Sequence, residues 1–206
     1  MNLFEKYECL KVCEKDILNA IYIIVKCYKN GGKVLVCGNG GSSADSSHIV
    51  GELLKGFMSK RHLNNHIKAK IMGLSEEYGT IMANMLQGSL PAVDLTAMQS
   101  VISAVANDTD PMLVYAQQVM GLGKPEDVLI GISTSGNADN VLCAGIAAKV
   151  LGVTTVALTG QDGGGMKEQF DITIAVPATS TPEVQELHLP VYHAICTMVE
   201  REMFDS

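Results

Sequence analysis

At 206 residues, 47% of them hydrophobic and 18% charged, the chain is long enough to bury one substantial core and short for two. Its formal charge of -7, with no basic run beyond Lys60-Arg61, speaks against a nucleic-acid or membrane surface and leaves room for a local anion site. Six cysteines (Cys9, Cys13, Cys27, Cys37, Cys143 and Cys196) without C-x-x-C spacing, no signal-peptide pattern and no apolar run of membrane length predict a reduced, cytoplasmic protein with its cysteines in core elements.

Residues 1–32 read as an N-terminal helix over 3–29, apolar through Leu10, Val12, Cys13, Ile17, Ile21, Ile24 and Val25 and stopped by Asn30-Gly31-Gly32. A strand at 33–37 runs into the loop GNGGSS and a helix carrying His48 and Glu52 one turn apart on one face. Residues 58–90 form a helical insertion with two helical stretches, near 64–73 and 75–86, that reads as a packing or oligomer element. Its His62 and His66 read as solvated or structural. Strands follow at 91–96, 127–133, 153–159 and 171–176, separated by helix-length segments, and the last helix carries Gln185, His188 and His193. Nearly continuous apolar strands alternating with helices predict a parallel sheet covered on both faces, with ligands bound beyond the carboxyl ends of the strands.

Two glycine-and-hydroxyl loops lie at those ends. In the first, Gly38, Gly40 and Gly41 permit close backbone approach, and Ser42 or Ser43 can cap the helix. In the second, Ser133, Thr134 and Ser135 precede Gly136 and supply neutral donors for a phosphate at a helix N-terminus. Neither loop has the Walker lysine or G-x-G-x-x-G spacing, so no nucleotide cofactor is expected. Gln185 and His193, eight residues apart, fall about 80° apart around a helix axis and project to one side. His188 falls on another face and reads as structural or as a hydrogen-bonding residue between subunits.

The ordered set GNGGSSADSSHIVGEL, AND at 106–108, PEDVLIGISTSGN, TVALTGQDGG and VQELHLPVYHAICTMVE resembles the SIS domain of the phosphoheptose isomerase family, over about residues 33–202. The resemblance implies a flavodoxin-like three-layer α/β/α sandwich around a five-stranded parallel sheet, one domain over 1–206. It further implies a homotetramer with shared active sites, converting sedoheptulose 7-phosphate to D-glycero-D-manno-heptose 7-phosphate, with zinc in some members. It places the acid-base pair on Glu52 and His193 and the metal ligands on His48, Glu52, Gln185 and His193. Phosphate or substrate contacts fall on Asn39, Gly40, Gly41, Ser42, Asp108, Ser133, Thr134, Ser135 and Gln185.

Three positions depart from the family pattern. Ala138 stands where a serine is common, Gly56 where an arginine follows the glutamate helix, and Pro182 where an acidic or hydroxyl residue precedes the glutamine. The other readings open at this point are an isomerase of a different sugar phosphate, and a non-catalytic SIS-domain protein that senses sugar phosphates or binds a replication initiator. Retention of Glu52, Gln185 and His193 together favours an enzyme, since a binding module has no need of an acid-base pair.

Overall fold

The computed structural model describes residues 3–204. Five strands, β1 (Val34–Gly38), β2 (Ala92–Asp94), β3 (Val128–Ser133), β4 (Thr154–Thr159) and β5 (Ile172–Ala175), form one sheet in the order β2-β1-β3-β4-β5, every pair parallel. All five lie within the predicted segments, save that β1 runs one residue further, to Gly38. The helices are α1 (Leu3–Lys6), α2 (Glu14–Lys29), α3 (Gly41–Leu54), α4 (Asn65–Leu74), α5 (Gly79–Met85), α6 (Gln99–Asp108), α7 (Val114–Leu122), α8 (Asp139–Val150), α9 (Gly164–Gln169) and α10 (Thr181–Phe204).

Alternation along the strands builds two cores, because successive side chains leave opposite faces of a sheet. Val34, Val36, Val128, Ile130, Ile132, Val156 and Leu158 pack against α2, α3 and α10. Leu35, Cys37, Leu129 and Ala157 pack against α7, α8 and α9. The expected three layers are therefore present. Each fully buried Val, Leu or Ile in these layers contributes roughly 1.5–3 kcal/mol relative to exposure.

The single helix expected over 3–29 is instead broken. Tyr7, at φ -124° and ψ 74°, is not helical, and Glu8–Cys13 is a 3₁₀ segment before α2 begins. In a 3₁₀ helix residues three apart eclipse, which stacks the buried Leu10 over the buried Cys13, while Val12 turns to solvent. Cys9 is exposed rather than in a core element, and Cys143 is half-buried; the other four cysteines are buried, and all six are free thiols.

In the insertion, α4 and α5 form close to the predicted stretches, with α4 capped by the Asn64 side chain accepting from the Ile67 amide at 2.9 Å. Neither helix buries a large side chain. What the insertion does bury, besides Leu90 at its end, is Arg61, fully enclosed and paired with Glu200 of α10.

The order of the strands sets the place of the site. The direction in which the chain adds strands reverses between β1 and β3, and the connections leaving these neighbours diverge to opposite faces, opening a crevice at their carboxyl ends. Both glycine-and-hydroxyl loops border that crevice. Among the described residues, no helix is long and apolar enough to cross a membrane.

Candidate active site

The β1 loop turns at Gly40, whose φ of 55° and ψ of -121° lie where a side chain is strained. At the next residue, a Cβ would run into the Gln185 side-chain amide. Glycine at 41 therefore lets Gln185 of α10 lie against the first turn of α3, which brings one predicted ligand to the mouth of the crevice.

Asn39 and Asn140 exchange amide hydrogen bonds of 2.8 and 2.9 Å across the crevice, tying the β1 loop to the first turn of α8. Beneath them the Tyr115 hydroxyl donates to the Gly38 carbonyl at 2.6 Å. The β3 loop is braced in turn by β4 and α9: the Gly160 amide donates to the Thr134 carbonyl at 3.0 Å, and the Met166 amide to the Gly136 carbonyl at 3.0 Å. Thr134 and Thr181 hydroxyls lie 3.5 Å apart at this edge, and the Ser135 hydroxyl accepts from the Asn137 amide at 3.2 Å. Ser133 is buried.

Two predicted residues lie apart from this arrangement. Ser42 is nearly enclosed and packs against Gly38, where a Cβ would come within 2.9 Å of its own. Asp108 ends α6 on an exposed surface and accepts from the Asn107 side chain at 2.8 Å, with no hydrogen bond to α3 or α10 among the described residues.

The remaining predicted residues converge because α3 and α10 pack side by side on one face of the sheet. His48 Nε2 lies 3.2 Å from Glu52 Oε1 and 3.5 Å from His193 Nε2. Phe57 tilts against the His193 ring at 5.3 Å between centroids. Partial burial and the facing His48 push the His193 pKa down, Glu52 opposing them, so its proton is given up more readily than that of a free imidazole.

Two imidazoles, a carboxylate and an amide are donors that suit zinc, and a tetrahedral site with zinc-nitrogen bonds of about 2.0–2.1 Å sets its donors roughly 3.3 Å apart. Two such spacings are present here. The set is not closed, for among the described residues no three His, Cys, Asp or Glu side chains converge on one metal position. The residues fit zinc in kind.

Several residues that shape the site escape a reading by motif. Arg61 Nη1 and Nη2 donate to the carbonyls of Leu53 and Glu52 at the end of α3, with Nη2 at 2.9 Å, and Nε donates to Glu200 at 2.7 Å. Glu200 also accepts from the amides of Phe57, Met58 and Ser59. Burial raises the Glu200 pKa, but these amides and Arg61 outweigh it and hold the carboxyl below its usual range. Pro190, inside α10 between Gln185 and His193, deprives the Glu186 carbonyl of its helical partner. His188 is fully enclosed with Nε2 at 3.2 Å from the Thr159 carbonyl, and burial pushes its pKa down to about 4. It is structural within the chain.

The SIS domain profile matches residues 7–77 and 64–160. A phosphoheptose isomerase of Clostridium acetobutylicum is 40% identical over 190 residues, covering 92% of this chain and 84% of that protein. This chain belongs to the phosphoheptose isomerase family. Another phosphoheptose isomerase, from Akkermansia muciniphila, is 36% identical over 204 residues, covering 99% of this chain and 94% of that one. A phosphoheptose isomerase structure from Francisella tularensis superposes with a TM-score of 0.78 at 32% identity, covering 95% of this chain and 91% of that one. The Neisseria gonorrhoeae structure gives 0.75 at 33%, covering 95% and 90%. The phosphoheptose isomerase likeness thus spans both halves of the crevice, including the helix that carries Gln185 and His193.

Proposed function

We propose that the chain isomerises sedoheptulose 7-phosphate to D-glycero-D-manno-heptose 7-phosphate through an enediol. The observation that carries this reading is the meeting of Glu52, His48 and His193 from two helices at the phosphate-loop end of the sheet, in a chain 40% identical to a phosphoheptose isomerase. Moving a carbonyl between C1 and C2 requires a base for a carbon-bound proton and an acid for an oxygen. Glu52 serves as the base. Its carboxylate is held at the cleft edge by α3, whose end Arg61 grips through two backbone carbonyls. His193 serves as the acid, its lowered proton affinity favouring donation to the developing oxyanion. Zinc, when bound by His48, Glu52, Gln185 and His193, supplies Lewis-acid polarisation of the carbonyl.

The phosphate rests on Ser133, Thr134 and Ser135, with the Gly40, Gly41 and Ser42 backbone opposite, while Asn39 and Gln185 contact sugar hydroxyls. Deuterium exchange from solvent into the carbon beside the carbonyl of sedoheptulose 7-phosphate tests the reaction. Incorporation is expected, and its absence, with exchange into a different sugar phosphate, would reassign the substrate. Ala138 motivates that arm, because a hydroxyl common at the phosphate is missing.

Phosphate binding has its own test. Replacing both Ser133 and Thr134 with Ala removes two hydroxyl donors to the anion. Each hydrogen bond to a charged group contributes about 1.5–3 kcal/mol, so the Michaelis constant is expected to rise by at least about tenfold while fold is kept. Unchanged binding in steady-state kinetics would move the phosphate elsewhere.

The chain acts as one domain in the cytoplasm, and as a homotetramer. The α2–α10 face supports the last point: Leu18, Tyr22 and Met198 stay exposed along it. Deleting residues 1–29 would also strip Ile17, Ile21 and Ile24 from the core, so polar replacement of Leu18, Tyr22 and Met198 is the cleaner change; it is expected to break the assembly and lower activity together, although no proposed catalytic residue is altered. An intact protein that sediments as a fully active monomer would refute the tetramer.

A further inference from the structure

We propose that Asn140 is a positioning residue that holds the Asn39 amide in place before the sugar arrives. The proposal rests on the reading of Asn39 as a contact to a sugar hydroxyl. The two side chains come from opposite walls of the crevice. Asn39 directly follows β1, and Asn140, 101 residues later, is the second residue of α8.

Asn39 Nδ2 donates to Asn140 Oδ1 at 2.8 Å, and Asn140 Nδ2 donates to Asn39 Oδ1 at 2.9 Å. Both lengths are those of well-made N–H···O bonds. Because the pair is reciprocal, turning both amides over exchanges donor with acceptor and keeps both bonds. Turning one alone would set N–H against N–H and oxygen against oxygen. Each amide plane is therefore fixed by the other, whichever way the pair lies.

The backbone on either side of Asn39 is already set. The Tyr115 hydroxyl holds the Gly38 carbonyl at 2.6 Å, and Gly40 turns the chain at a φ of 55°. What freedom remains lies in the Asn39 side chain, and Asn140 removes it. A primary amide has two hydrogens to give and two lone pairs to offer. Asn140 engages one of each, and the Tyr115 hydroxyl, 3.2 Å from Asn39 Oδ1, faces a third. The fourth is left for the ligand, and a sugar hydroxyl, which both gives and accepts, meets it in either orientation of the pair. Asn39 is exposed to receive one. Without Asn140 the ordering of that side chain would fall on the binding step.

The test is Asn140→Ala. Alanine is a better helix former than asparagine, so the change does not weaken α8. The Michaelis constant for sedoheptulose 7-phosphate is expected to rise about three- to tenfold, the cost of ordering one side chain on binding, with turnover held within about twofold. Affinity for inorganic phosphate, followed by phosphorus magnetic resonance, is expected to stay within about twofold, because the phosphate rests on the β3 loop; general loosening of the crevice would move both. Asn39→Ala is expected to raise the Michaelis constant at least as far, and the double variant no further than Asn39→Ala, since Asn140 acts through Asn39. An additive double variant overturns the proposal, as does an Asn140→Ala protein whose Michaelis constant is unchanged or lower, or whose phosphate affinity falls in step. If Asn39→Ala weakens the sugar and Asn140→Ala does not, the proposal falls alone. If neither does, the reading of Asn39 as a sugar contact falls with it. The side-chain amide proton signals of Asn39 report the pairing with no sugar present. Asn140→Ala is expected to shift them, and unmoved signals overturn the proposal whatever the heptose assay gives.

Discussion

Glu52→Gln and His193→Ala are each expected to lower turnover by about 10²- to 10⁴-fold, the range that one positioned proton-transfer group contributes. The first keeps the shape of the side chain and its place on α3, but an amide cannot accept a proton from carbon. The second leaves a space lined by Phe57, His48 and Tyr192 and no donor for the sugar oxygen. Neither change touches the β3 loop, so binding of a phosphorylated inhibitor should persist within a few fold. The measurement is solvent deuterium exchange alongside turnover, with thermal unfolding as the control for fold. A variant that exchanges at close to the wild-type rate would remove its residue from the mechanism.

Arg61→Ala is expected to be the most damaging change outside the acid-base pair. It strands the Glu200 carboxylate in a fully enclosed site and frees the carbonyls that end α3. Removing one partner of a buried ion pair costs about 3–5 kcal/mol. In a chain of this length that lowers the unfolding temperature by roughly 6–20 °C. Replacing Arg61 and Glu200 together with apolar residues should recover only part of the loss, because no charge is then left unpaired but the amides of Phe57, Met58 and Ser59 and the carbonyls of Glu52 and Leu53 lose their partners. A double variant no better than Arg61→Ala in calorimetry would contradict that account.

Acid should act on the same region. The Glu200 carboxyl has a folded-state pKa below its unfolded value, so it stabilises the fold above pH 4.5 and that contribution is lost as pH falls through the folded value. His188, lowered from 6.5 to about 4, stays neutral in the folded chain while the unfolded chain takes up a proton. Stability is therefore expected to fall first between pH 6.5 and 4, and then further as Glu200 protonates. Unfolding temperatures measured across this range check the order.

Most of the architecture was legible in the amino-acid order, and for a physical reason. Strands buried on both faces must be apolar throughout, so 33–37, 127–133 and 153–159 stand out, and the loops that follow carry small residues where the backbone has to turn. His48 and Glu52 were legible as a pair because four residues is about one helical turn. The pairing of α3 with α10 was carried by the family resemblance, since no local period relates His48 to His193.

What stayed hidden depends on contacts between distant segments. Arg61 and Glu200 are 139 residues apart, and Asn39 and Asn140 are 101 apart. A lone arginine beside a lysine reads as solvated surface, and an asparagine in the first turn of a helix reads as part of its start. Of these four, the family resemblance marked Asn39 alone. The break at Tyr7 gave no signal either, as neither proline nor glycine marks it.

The parallel pairing of β1 with β3 also bears on how the protein is made. The two loops that border the crevice come from strands joined only after the whole insertion, β2, α6 and α7 have been traversed; Lys33 and Asp127, which clasp the opposite ends of these strands, are 94 residues apart. Contacts of such separation form late, because the entropy of closing a long loop must be met before they return anything. During synthesis the part of the chain that precedes β3 therefore carries half of a binding site with nothing to bind against. The capacity to hold a sugar phosphate arises in one step, when β3 docks beside β1, and ligand present at that moment stabilises the completed sheet rather than any precursor of it.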